Sequence, residues 1–252
     1  MISFEQTGSG PPLVMLHGFT QSARTWGPAA DALAASHRLL LVDAPGHGGS
    51  AGVTADLTTG ADLMARAVGP VTGPAAWLGY SMGGRFALHV ALGHPELVDR
   101  LILVSTTAGI ADAAERAARR QWDEDLARRV ESEGVGPFVT WWLRQPLFAT
   151  LPEESAQMEG RLGGDAAGLA ASLRLAGTGA QEPLWERLQE LAMPVLVVAG
   201  RLDTRYVALA ERLAEAVGPN ASLRVVEEAG HACHLEQPER FTDLVAGWLA
   251  EP

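Results

Sequence analysis

Six short apolar runs, each bounded by Gly, Pro, Asp or Ser/Thr, limit what this chain can fold into. They are LVMLH (13–17), LLLVD (39–43), AWLGYS (76–81), LILVST (101–106), VLVVAG (195–200) and LRVVEE (223–228). Runs this short, rich in β-branched residues and without polar alternation, read as strands buried on both faces. Between most of them lie Ala- and Leu-rich segments with helical spacing, at 27–36, 58–69, 83–93, 204–217 and 238–250. Strand alternating with helix predicts an α/β fold, a mostly parallel sheet flanked by helices on both sides. The alternation stops between Thr106 and Leu191, where no strand is legible. That section reads as helices at 112–133, 136–144, 152–162 and 166–176, broken at Gly134, Pro146, Pro152 and Gly163. The predicted organisation is a core of 1–108 and 185–252 with a helical lid, 109–184, inserted over the C-terminal strand ends, the edge where parallel sheets bind ligands.

Composition narrows the function. A hydrophobic fraction of 47% in 252 residues is enough for a sizeable core. The net charge of −11 argues against nucleic acid or an anionic membrane as partner. All 19 basic residues are Arg, which removes lysine chemistry. Cys233 is the single cysteine, so no intramolecular disulfide forms. The N-terminal MISFEQTGSG has no basic region followed by an apolar one, so a leader peptide is not expected, and no apolar run approaches the ~18 residues of a membrane span. A cytoplasmic protein without membrane insertion is expected. No metal-ligand spacing, P-loop or dinucleotide glycine pattern appears, so no metal and no cofactor is expected.

The stretch GYSMGGR (79–85) carries the chemistry. Ser81 ends one apolar strand and opens an apolar helix, with Gly79 and Gly83 where a Cβ would crowd a tight strand–turn–helix. Such a turn holds a nucleophilic Oγ at a helix N-terminus, where the free N–H groups favour negative charge. On this arrangement the acid and the base follow the serine in the order Ser, Asp, His. His231, in EAGHACHLE after the last run, fits the base best, with His234 as the alternative. Asp203, in GRLDTRY after VLVVAG, fits the acid; an N-cap for the next helix is its other reading. Asp43, His17 and His47 lie in glycine-rich loops and read as loop organisers. The backbone N–H groups of Phe19, in LHGF, and of Met82 are the expected oxyanion-hole donors.

Arg85 lies four residues past Ser81, on the same helix face. A cation in a first helical turn opposes the helix dipole, at a cost of up to about 1 kcal/mol, and therefore wants an anion. That anion is either a protein carboxylate or a ligand. The lid carries further arginines, and Trp122, Trp141 and Trp142. These offer packing or an apolar cover for a ring substrate.

LHGF (16–19), DAPGHGGS (43–50), GYSMGG (79–84), GRLD (200–203) and GH (230–231) resemble the α/β-hydrolase superfamily over essentially the whole chain. GYSMGGR, the lid stretch ERAARRQWDEDLARR (115–129), WWLRQPLF (141–148), GTGAQEPLW (177–185) and LEQPERF (235–241) narrow the resemblance. They are similar to the 2-succinyl-6-hydroxy-2,4-cyclohexadiene-1-carboxylate synthases of menaquinone biosynthesis. That resemblance implies a lyase: the activated serine removes a proton α to a succinyl ketone, and the enolate expels pyruvate. It also implies a polycarboxylate small-molecule substrate, met by Tyr80, Arg85, Arg119, Trp142 and Arg161. Leu143 stands where some relatives carry an aromatic residue. The alternative is a serine hydrolase, a carboxylesterase or C–C bond hydrolase, acting on a small anionic substrate.

Overall fold

The structure is a computed structural model that describes residues 1–251. Seven strands form one sheet: β1 (Phe4–Thr7), β2 (Pro12–Leu16), β3 (Arg38–Val42), β4 (Ala75–Tyr80), β5 (Val98–Val104), β6 (Val195–Gly200) and β7 (Ala221–Val226). Their order is β1-β3-β2-β4-β5-β6-β7, and every pairing is parallel except β1 with β3. The six apolar runs all became strands. The seventh, β1, was not foreseen: FEQT is short, partly exposed and polar, and it pairs only at the sheet edge. At the opposite edge β7 begins two residues before LRVVEE and is only half-buried, whereas the interior strands β4 and β6 are buried at every position.

Side chains alternate between the two faces of the sheet, as the strand period demands. Val14, Leu16, Leu40, Val42 and Trp77 face a core closed by α2 (Leu57–Thr72), α3 (Met82–Gly93) and α8 (Thr204–Val217). Leu13, Met15, Leu39, Leu41 and Leu78 face the other, closed by α1 (Pro28–Ala34) and α10 (Pro238–Leu249). The fold is thus an α/β sandwich of three layers.

Between β5 and β6 run α4 (Ala113–Glu133), α5 (Val135–Trp142), α6 (Met158–Leu162) and α7 (Ala166–Ala176). Asp112 and Asp165 cap α4 and α7 through their side chains, which fixes those starts locally. This section has its own apolar cluster, including Leu126, Val130, Phe138, Trp142 and Leu173, with Leu143 packed against it. One expected element differs. The stretch 152–162 is not one helix but a 3-10 turn, Glu153–Ser155, followed by the short α6. Gln157, in the left-handed region at φ 54°, breaks the two apart.

Candidate active site

Ser81 sits on the turn between β4 and α3 at φ 53° and ψ −108°, a conformation costly for a residue with a Cβ. Its surroundings enforce it. A Cβ on Gly79 would strike the backbone of Gly83, and one on Gly83 would strike the Leu16 carbonyl. The Ser81 N–H donates to the Val104 carbonyl at 2.8 Å, and Thr106 Oγ1 donates to the Ser81 carbonyl at 2.7 Å. The serine is therefore held from both sides by the end of β5.

His231 lies 3.1 Å from Ser81 Oγ through Nε2, and 2.9 Å from Asp203 Oδ2 through Nδ1. The carboxylate only accepts, so Nδ1 carries the proton and Nε2 is free to accept from the Ser81 hydroxyl. Asp203 also has the cap position foreseen as its other reading: its second oxygen, Oδ1, accepts from the Tyr206 N–H at 3.1 Å and caps α8. The loop that carries His231 is pinned by Glu236 of α9 (Cys233–Glu236), whose carboxylate accepts from Gly230 N at 2.7 Å and Ala232 N at 3.0 Å. His234 does not reach Ser81. It is buried behind Tyr80, with ring centroids 4.3 Å apart, and burial holds its pKa down to about 3.

The backbone N–H groups of Phe19 and Met82, the two expected donors, are left open. Gly18 N donates to Gln21 Oε1 at 2.8 Å and Thr20 N to His47 Nε2 at 3.3 Å, while Phe19 N, between them, donates to nothing among the described residues. Met82 N is the first of α3, a position with no intrahelical acceptor. His17, His47 and Asp43 organise this loop. His17 Nε2 accepts from Ala44 N at 3.1 Å, and Asp43 accepts from Ala23 N at 2.7 Å and Gly49 N at 2.8 Å. Burial drives the pKa of His17 down to about 4 and that of His47 to about 3, so both are neutral acceptors.

A cavity of about 670 Å³ opens beside Ser81, and Phe19, Met82, Arg85, Arg119 and Trp142 line it. Its charged lining is Arg85, Arg119 and Arg205 against Glu115 and Asp123, three positive groups and two negative, inside a chain of net charge −11. Arg119 is already paired, Nε to Asp123 Oδ1 at 2.8 Å. Arg85 is not. It is 7% exposed, donates from Nη1 to the Ala176 carbonyl at 2.6 Å, and forms no ion pair with any described carboxylate. Burial, then the neighbouring Arg119, lowers its pKa to about 10, which leaves it a cation at neutral pH. Trp142 adds a buried Nε1–H with no acceptor.

Two residues expected at the substrate lie elsewhere. Tyr80 is buried under His231 and His234, and Arg161 is buried against Thr20; neither lines the cavity. Their neighbours come from distant segments, which no local spacing reveals. Other residues were not foreseen. Tyr206 lines the cavity with its ring 4.4 Å from that of His231, and burial raises its pKa against the pull of Arg119, Arg205 and Arg85. Asp123 and Glu236 hold Arg119 and the histidine loop. Only the i,i+4 spacing of Arg119 and Asp123 left a trace in the sequence.

Residues 13–244 match the alpha/beta hydrolase family. The chain belongs to that family. Among alpha/beta hydrolases it is 34% identical to the 2-succinyl-6-hydroxy-2,4-cyclohexadiene-1-carboxylate synthase of Klebsiella pneumoniae, over 95% of this chain and 94% of that one. It superposes on the solved structure of MenH from S. aureus with a TM-score of 0.90 at 31% identity, covering 98% of this chain and 97% of that one. A thermophilic esterase from Thermogutta terrifontis, solved with malate bound, superposes with a TM-score of 0.82 at 27% identity, covering 98% and 92%. The fold is thus common to a synthase and an esterase, and by itself does not separate the two.

Proposed function

We propose that this alpha/beta hydrolase is a carbon–oxygen lyase of menaquinone biosynthesis. It eliminates pyruvate from 2-succinyl-5-enolpyruvyl-6-hydroxy-3-cyclohexene-1-carboxylate to give 2-succinyl-6-hydroxy-2,4-cyclohexadiene-1-carboxylate. One observation carries the reading beyond the names of its relatives: Arg85, a buried cation without a carboxylate, faces the cavity one helical turn from Ser81. A substrate with three carboxylates supplies the missing anion; a neutral ester does not.

In this mechanism residues 109–184 act as the lid, and Arg85 and Arg119 seat substrate carboxylates. His231, oriented by Asp203, takes the Ser81 hydroxyl proton as Ser81 Oγ removes the ring proton α to the succinyl ketone. The ketone oxygen becomes an enolate oxygen and receives the Phe19 and Met82 N–H groups. The electron pair then moves through the ring double bond and breaks the bond from C5 to the enolpyruvyl oxygen. The leaving enolate takes up a proton and becomes pyruvate. No acyl-enzyme forms, and no water enters the products. The reaction reuses the parts of a hydrolase because both need an activated Oγ and a stabilised oxyanion. The buried Cys233 thiol, its pKa raised by burial to about 12, takes no part and suits a reducing cytoplasm.

Hydrolysis of a small anionic ester is the second reading, favoured by the likeness to the malate-bound esterase. The deciding experiment supplies the enolpyruvyl substrate and follows pyruvate release, beside a panel of p-nitrophenyl esters. Pyruvate release at the faster kcat/KM is expected. Brisk ester turnover with no pyruvate would sink the lyase assignment.

A further inference from the structure

Among the described residues Arg161 is, with Arg85, one of two buried arginines that pair with no carboxylate, and it is not part of the cavity lining. It is 1% exposed. Its Nε donates to the Ala156 carbonyl at 2.7 Å, which ties it back to the turn that precedes its own helix, α6. Its Nη1 donates to Thr20 Oγ1 at 2.6 Å, across 141 residues of sequence. Thr20 is itself unusual. It is 2% exposed and holds φ at 66°, the left-handed region, which is an outlier for a β-branched side chain. Such a conformation persists only where the surroundings over-determine it.

Thr20 follows Phe19 directly, so the tight turn that holds Thr20 also carries the Phe19 N–H. Its neighbours are tied off: Gly18 N to Gln21 Oε1, Thr20 N to His47 Nε2, and Gln21 N to the Gly18 carbonyl. Those bonds all lie within the core. The Arg161 bond to the Thr20 hydroxyl comes from the lid, and among residues 18–21 it grips the one non-glycine side chain whose backbone is left-handed.

We propose that Arg161 is a positioning residue, a lid-borne clamp on Thr20 that holds the Phe19 N–H in line for the oxyanion. It rests on the reading of Phe19 as an oxyanion donor. On this assignment Arg161 never touches substrate; it makes the oxyanion hole complete only when α6 is seated on the core. Lid and hole are then coupled through one hydrogen bond.

Thr20→Val removes the acceptor and keeps the volume, Thr20→Ala removes acceptor and branch, and Thr20→Ser restores the hydroxyl. Arg161→Gln removes the cation. Misplacing a transition-state donor costs about 10²-fold in rate with ground-state binding spared. Thr20→Val and Arg161→Gln are therefore each expected to lower kcat by about 10- to 100-fold with KM within about twofold. The double variant falls no further than the worse single one, because both break the same bond. Thr20→Ser stays near the parent protein. Circular dichroism and the urea midpoint report folding, and Thr20→Ala stands in if Thr20→Val unfolds. The overturning result is Thr20→Val and Thr20→Ala turning over like the parent protein while Arg161→Gln raises KM tenfold, which would put Arg161 on the ligand. Multiplying losses in the double variant would also overturn it. Each variant is assayed for pyruvate release and for p-nitrophenyl acetate hydrolysis. Both reactions use the hole, so a parent protein that hydrolyses the ester and releases no pyruvate refutes the lyase reading and leaves the clamp testable.

Discussion

Replacing Arg85 by Met separates a ligand-binding arginine from a structural one. Met keeps most of the length and volume and discards the charge. Burial and Arg119 hold the Arg85 pKa down at about 10, well below the ordinary guanidinium range. That lowering corresponds to about 3 kcal/mol against the charged form at neutral pH. The folded-state pKa lies below the unfolded one, so charging Arg85 costs folding stability at every pH below about 10. Met removes that cost and leaves the Ala176 carbonyl without its donor, a loss of about 1–3 kcal/mol. Stability is expected to stay within about 2 kcal/mol of the parent protein, in either direction. Breaking a buried ion pair would instead cost about 3–5 kcal/mol. A substrate carboxylate that offsets the buried charge recovers the same ~3 kcal/mol, so its loss raises KM about 100-fold. The assays are pyruvate release against substrate concentration and urea unfolding at pH 7. An unchanged KM with a stability loss above about 3 kcal/mol would refute the reasoning and make Arg85 structural.

Two further perturbations probe the same arrangement. Asp203→Asn keeps an acceptor for the Tyr206 N–H and so keeps the α8 cap, but it ends the enforced tautomer of His231; kcat is expected to fall by up to about 10⁴-fold with Tm nearly unchanged, and a loss under tenfold would remove Asp203 from the proposed relay. His17, His47 and His234 are neutral in the fold at about 4, about 3 and about 3, against 6.5 when unfolded, so the unfolded chain binds more protons below 6.5. Stability is therefore complete above about pH 6.5 and falls as the pH drops: at pH 5 each contributes a loss of about 2 kcal/mol, about 6 together, close to the whole stability of a domain. A urea midpoint unchanged between pH 7 and pH 4.5 would contradict that burial.

The elements were legible where local physics alone specifies them. A run such as VLVVAG, short, β-branched and flanked by Pro194 and Arg201, suits a buried strand, and the helices after Asp112 and Asp165 start on local side-chain caps. The edge strand β1 was missed because FEQT buries little, and its pairing with β3 is a tertiary event. The segment 152–162 has the composition of one helix, but a left-handed Gln157 interrupts it.

The same division runs through the site. Ser81, its flanking glycines, Asp203 and His231 follow from sequence, because a strained turn needs Gly at fixed offsets and chain order ranks the partners. What the arginines do was decided only in three dimensions. Arg85 meets the carbonyl of a residue 91 positions away, Arg119 meets Asp123 one turn along its own helix, and Arg161 turns to a threonine 141 positions away. A guanidinium on a long side chain takes whatever acceptor the packed fold brings within reach. The sequence therefore announces a cation one turn from Ser81, and only the packed fold determines which cation is left without an anion.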